Sequence, residues 1–214
     1  MTGDPDENQL WQTAQALNRA AAAVSPGVAS LPPLLFFTDP VRTPWPWEVA
    51  ARLPRGAGVV YRGFGRPEVA DEARLLRRVT AERGLRLLIG LDADLAGAVG
   101  ADGVHLPERD LGRAAALRAR HPEWIMTGAL HREASAPALA FLDAVVLSPV
   151  FRAGGASADR DPLGIAAVTR RVARLPLPVY GLGGITAETA PALAGTGLCG
   201  VAAIDGVVTA FSAG

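Results

Sequence analysis

RLLIGLDADLAGAVGADGVHLPERDLGRAAALRARHPEWIMTGAL, residues 86–130, decides the fold. Three short apolar runs, RLLIGL (86–91), DGVHLP (102–107) and WIMTGAL (124–130), are separated by ADLAGAVG and DLGRAAALRARH, whose apolar spacing is helical. The runs are apolar nearly throughout rather than alternating, as expected of strands covered on both faces of a parallel sheet. The same unit repeats outward. LLFFTD (34–39) and GVVYR (58–62) precede it, and AVVLSP (144–149), PVYGLGG (178–184) and CGVAAIDG (199–206) follow, which makes eight strands. Helical stretches fall between them: PWEVAARL (46–53), PEVADEARLLRRVTAERG (67–84), a short ASAPALAF (134–141), PLGIAAVTRRVARL (162–175) and TAETAPALAG (186–195), the last with Thr186 as its N-cap. Strand–helix alternation carried to eight strands closes most economically into a (β/α)8 TIM barrel of the α/β class. A doubly wound open sheet is the alternative, but no G-x-G-x-x-G follows any strand.

Leu10, Ala14, Leu17 and Ala21 recur at helical spacing beside Trp11, so residues 7–23 are expected to form an amphipathic helix outside the repeat. SPGVASLPP (25–33) reads as a linker. The chain thus divides into an N-terminal helix and linker, 1–33, and a barrel domain, 34–214.

All 21 basic residues are arginine, balanced by 21 acidic ones, and there is no lysine. Schiff-base aldolase chemistry, a pyridoxal-phosphate aldimine and a Walker-type phosphate lysine are therefore excluded. Zero formal net charge leaves no electrostatic footprint for nucleic acid or an acidic membrane surface. The lone Cys199 rules out an intrachain disulfide, no apolar run reaches the roughly 20 residues of a membrane span, and MTGDPDENQ lacks the apolar core of a secretory signal. A cytoplasmic protein acting on a small molecule is the expectation. Trp45 and Trp47 in the PWPW loop close the barrel flank or supply a homo-oligomer contact.

In such a barrel the chemistry belongs at the carboxyl ends of the strands. Several of those ends, in order, resemble the thiamine phosphate synthase and TenI (thiazole tautomerase) family. AVGADGVHLPERDL (98–111) is similar to the family's A-V-G-A-D-G-V-H-L-G-Q-E-D, LFFTD (35–39) to its first-strand L-I-T-D, YRGF (61–64) to Q-L-R-x-K and SPVF (148–151) to G-P-V-F. YGLGGIT (180–186) and CGVAAIDGV (199–207) resemble its last two strand ends. The resemblance runs from about residue 34 to 208 and implies a protein of thiamin (thiazole phosphate) metabolism.

The resemblance also assigns roles. Thr38, Arg62 and Arg152 fall at substrate positions, with Arg62 matching an arginine that faces pyrophosphate. Gly183, Gly184, Ile204 and Asp205 fall on the turns that cradle a thiazole phosphate. With one deletion allowed in the strand, His131 aligns with a proton-shuttling histidine, where Arg132 would fall without the deletion, and a histidine's ordinary pKa near 6.5 suits that task. Magnesium is the implied cofactor; its carboxylates reduce to Asp110 and, after a one-residue shift, Asp92, because the family's Asn-Asp pair falls on Gly90 and Leu91. Further departures gather on the pyrophosphate half. Phe64 and Ala156 stand where the family has lysines, and its P-T-x-T-K falls on residues 152–156. Asp205 replaces a small hydroxyl residue, and its carboxylate within about 4 Å of a phosphate would repel it by several kcal/mol at an effective dielectric near 20. The expectation is a tautomerase-like isomerase or synthase-like transferase with a reduced pyrophosphate and magnesium site, binding a thiazole-phosphate-like ligand. The alternatives are an active synthase using Asp92, Asp110, Arg62 and Arg152, and a non-catalytic ligand sensor or partner-binding barrel.

Overall fold

The computed structural model describes residues 5–63, 65–131, 139–155 and 158–211. Eight parallel strands close into a barrel in chain order: β1 (Leu34–Phe37), β2 (Gly58–Tyr61), β3 (Arg86–Gly90), β4 (Gly103–Leu106), β5 (Ile125–Leu130), β6 (Ala144–Leu147), β7 (Val179–Leu182) and β8 (Gly200–Ala203), with β8 pairing back to β1. All eight apolar runs of the sequence become strands.

Their uniform hydrophobicity has a direct cause. Successive side chains on a strand point to opposite faces. Leu35, Phe37, Val60, Leu88, Val146, Tyr180 and Ala202 fill the inner cluster, while their neighbours Leu34, Phe36, Val59, Leu87, Val145, Val179 and Val201 pack beneath the helices. Both faces are therefore dry.

The helices among the described residues are α1 (Pro5–Ala22), α2 (Pro46–Ala50), α3 (Val69–Arg83), α4 (Ala93–Val99), α5 (Ala114–Arg120), α6 (Gly164–Val172) and α7 (Asp205–Phe211). The expected helix over 186–195 is shorter and tighter, a 3-10 turn at Ala190–Leu193. Thr189 Oγ1 accepts from the Thr186 amide at 2.9 Å and donates to Gly184 O at 2.9 Å, which folds the segment into a turn before Pro191. The expected helix over 134–141 lies largely outside the described residues.

SPGVASLPP is more than a linker. Pro26–Ser30 forms a 3-10 turn whose Val28, with Leu31, packs into the inner cluster. Tyr180 Oη donates to Pro32 O at 2.6 Å within the same region. Helix α1 buries Leu10, Ala14 and Leu17 in the outer layer, and its Asn18 Nδ2 donates to the carbonyls of Val28, Leu31 and Cys199 at 3.3, 3.4 and 3.2 Å. It is thereby latched to the amino-terminal end of β8. Cys199 is buried there, and burial pushes its thiol pKa up, as suits a small core hydrophobe. Among the described residues no helix is long and apolar enough to cross a membrane.

Candidate functional site

At the carboxyl mouth of the barrel lies a cavity of about 730 Å³, lined by residues of β1 to β7 and of the loops after β2 to β6. Its apolar floor includes Phe37, Val146 and Leu182 with His105, and its walls carry Arg62, Arg66, Arg109, Arg113 and Arg160 against Asp92 and Asp94.

Barrel register brings His131 to Ser148. Leu130 of β5 pairs with Leu147 of β6, so the next residues of the two strands meet above them. His131 Nδ1 lies 3.2 Å from Ser148 Oγ and 3.4 Å from Ser148 O. A carbonyl oxygen only accepts, so this contact favours the Nδ1–H tautomer and leaves Nε2 with the basic lone pair. The His131 backbone is held as well: its amide donates to Glu108 Oε2 at 3.2 Å, and its carbonyl accepts from Arg171 at 3.1 Å.

His105 sits one layer below. Its Nδ1 is 2.9 Å from Thr127 Oγ1, its ring meets the Phe37 ring edge-on, and burial, reinforced by Arg62 and His131, lowers its pKa to about 3. It stays neutral at any ordinary pH. The sequence marks it only as a structural histidine inside a strand, but the structure gives it the cavity floor.

Arg62 follows β2 and Thr38 follows β1. Thr38 does not reach the cavity; it is buried and positions Arg62, whose amide donates to Thr38 Oγ1 at 2.9 Å and whose Nε donates to Thr38 O at 2.7 Å. The guanidinium carbon lies 5.5 Å from the centre of the Phe37 ring. Burial lowers the Arg62 pKa to about 10, with Asp39 opposing the shift, so the group remains cationic. Asp39 holds Arg42 at 3.2 Å and stands 3.8 Å from Arg62. Burial raises its pKa, and hydrogen bonds from Arg42 and Val41 outweigh that and leave it below its usual value.

Other sequence candidates fall elsewhere. Asp205 is 59% exposed and pairs with Arg42 at 2.9 Å. Gly183, Gly184 and Ile204 are likewise off the cavity wall. The loop after β6 crosses the turn after β7 too closely for any side chain. A Cβ on Gly184 would lie 2.3 Å from Arg152 O, and Phe151 N donates to Gly183 O at 3.0 Å. That loop also carries the exposed Arg152 away from the cavity. Phe64 and Ala156 lie outside the described residues.

Magnesium finds a poor donor set. Asp92 faces the cavity, but its Oδ1 caps α4 by accepting from Leu95 N at 2.8 Å. Asp110 stands off the cavity wall with Arg109 at 3.4 Å from its carboxylate. Among the described residues no three His, Cys, Asp or Glu side chains group to hold a metal. The residues present do not fit the ion.

Leu91 has a left-handed backbone, φ 69°. The Leu91 amide donates to His105 O at 2.9 Å and the Asp92 amide to Gly90 O at 2.8 Å, which fixes a three-residue turn around it. The residue is 41% exposed at the cavity wall. Strain in a branched residue at such a place is held by its surroundings.

Arg66, Arg109, Arg113 and Arg160 drew no role from the sequence. In a chain whose only cation is arginine, the residue type carries no signal; position a few residues past a strand end was the available clue.

Comparisons with known proteins bear on the family and the fold. A family model described as thiamine monophosphate synthase matches residues 49–207. The thiamine-phosphate synthase of Azorhizobium caulinodans is 34% identical over 145 residues, covering 66% of this chain and 68% of the relative. That of Laribacter hongkongensis is 30% identical over 164 residues, 75% of this chain and 78% of the relative. The solved thiamine phosphate pyrophosphorylase from Pyrococcus furiosus superposes with a TM-score of 0.70 at 23% identity, over 83% of this chain and 91% of that one, which shows a common fold. By the family match and by these relatives, the chain belongs to the thiamine monophosphate synthase family.

Proposed function

We propose that this protein works in thiamin metabolism on a phosphorylated, thiazole-like heterocycle, with its ring on the Phe37–Val146–Leu182 floor, its phosphoryl group among the arginines, and His131 as the proton carrier. One observation carries the reading: a single cavity combines an apolar floor, guanidinium walls and an imidazole whose Nδ1 is engaged by Ser148. A ring needs the first, a phosphoryl group the second and a tautomerisation the third. In such a reaction His131 Nε2 takes a proton from one ring position and returns it at another, a net isomerisation that consumes nothing. His105, held neutral, adds no competing charge beneath the ring.

Purified protein is expected to exchange the ring proton of thiazole carboxylate phosphate with solvent in metal-free buffer. His131→Gln is expected to slow this by about 100-fold or more, the usual worth of a general acid–base group. Exchange at the same rate in the variant would remove His131 from the mechanism.

A second reading, synthase activity, is supported by the names of the curated relatives and by the number of arginines on the wall. Release of pyrophosphate from hydroxymethylpyrimidine pyrophosphate and thiazole phosphate, abolished in Arg62→Ala, would establish it in place of the isomerase. Ligand-dependent thermal stabilisation without turnover in either assay would leave a sensor.

A further inference from the structure

We infer that the cavity binds a polyanion of the diphosphate class through guanidinium groups alone, so that binding needs no divalent cation. The inference rests on the reading above that the cavity takes a phosphorylated ligand.

Charge supplies the first argument. Three loops deliver arginine to one cavity: Arg62 and Arg66 after β2, Arg109 and Arg113 after β4, and Arg160 after β6. Three of them have acidic neighbours outside the lining. Arg66 is bound by Glu72, Arg109 is near Asp110 and Arg62 is near Asp39. Arg113 and Arg160 differ. Arg113 makes one long hydrogen bond, to Leu91 O at 3.4 Å, and Arg160 makes no hydrogen bond or ion pair among the described residues. Two guanidinium groups from separate loops, neither bound to a carboxylate among the described residues, face one partly enclosed space. Each presents a fork that matches two phosphoryl oxygens. A pair of forks suits a ligand with two phosphoryl groups better than one with a single group.

The carboxylates supply the second argument. Magnesium asks for near-octahedral oxygen ligands and is usually held by carboxylates together with phosphate. Here the Asp92 carboxylate has one oxygen engaged at the helix cap, Asp110 stands by Arg109, and Asp94 is exposed. The acids that do face the cavity therefore act on an anion as plain negative charges, and they oppose binding instead of bridging it.

Asp92 separates the two modes. In a metal-bridged site its loss weakens binding; in an arginine site its loss strengthens binding. Asparagine caps a helix as well as aspartate does, so Asp92→Asn keeps α4 intact. The test is isothermal titration calorimetry of the full chain with inorganic pyrophosphate, in EDTA and again in excess magnesium. Binding is expected in EDTA, with Arg113→Ala and Arg160→Ala each weakening it about ten-fold, the worth of a charge-assisted hydrogen bond. Asp92→Asn is expected to tighten it. Pyrophosphate binding that appears only with magnesium and is lost in Asp92→Asn would overturn the inference and leave the functional reading intact. Inorganic phosphate binding as tightly as pyrophosphate would overturn the diphosphate class. Binding of neither anion in either buffer would overturn both the inference and the reading beneath it.

Discussion

His105 shares a hydrogen bond with Thr127 inside the barrel, where an imidazolium would be stripped of water, and its pKa falls to about 3. That shift fixes a pH dependence of stability. In the unfolded chain the ring takes up a proton below its ordinary value near 6.5, while in the folded chain it does so only near 3. Between those limits the unfolded state binds more protons, so acid favours unfolding; above 6.5 both states are neutral and the effect vanishes. His105 is expected to cost up to about 1.4 kcal/mol per pH unit as the pH falls through that window. Urea unfolding of the wild type and of His105→Gln across pH 4 to 7 checks it, and equal slopes for the two proteins would contradict the assignment. Leu91 has a different message at the same scale. A branched side chain in a left-handed turn at the cavity wall is held there by the hydrogen bonds on either side of it.

At the level of elements, the latch from α1 to β8 is the contact with most to lose. Asn18 serves three buried carbonyls, and removing its amide costs each of them a hydrogen bond, although Val28 O keeps the one from the Leu31 amide. Asn18→Ala is expected to destabilise the protein by about 1–3 kcal/mol, read as a lowered urea midpoint. Faster amide exchange at the start of β8 than in β4 should accompany it, and uniform exchange would mean that α1 is not a separate latch. The strands were legible because a barrel strand is dry on both faces, and LLFF, GVVY and AVVL cannot be solvated on either side. The segment after β7 was less so. TAETAPALAG has helical spacing, but Thr189 bonds to Gly184 O and Pro191 supplies no amide, so a turn wins. SPGVASLPP reads as a linker by its prolines, yet those same residues stiffen the turn that places Val28 and Leu31 in the inner cluster.

Across the whole molecule the mouth of the barrel is divided by charge. Over β2 to β6 arginines surround the cavity; over β8 and β1 Arg42 is spent between Asp39 and Asp205 and lies against Gly155. The second half sets two carboxylates against one guanidinium, and the first sets five guanidinium groups against two carboxylates. Asp205→Ser is expected to cost less than about 1 kcal/mol of stability, because the pair it breaks is half in water. It should also release Arg42 and deepen the thermal stabilisation given by inorganic phosphate; an unchanged response would show that Asp205 does not guard this half. His131 and Arg62 were legible because they follow strands and match a family pattern. The remaining arginines were not, since only closure of the barrel brings loops about 100 residues apart in sequence, such as those holding Arg62 and Arg160, to one cavity.

The latch between Asn18 and the Cys199 carbonyl joins residues 181 positions apart. A ribosome delivers α1 well before its seat on β8, and the β8–β1 seam cannot close until β8 is made. Until β8 is made, part of the seat for the apolar face of Leu10, Ala14 and Leu17 is missing, and contacts of such long range are slow to form. The emerging chain therefore depends on whatever shelters that helix, by a chaperone or by transient collapse, until the eighth strand arrives.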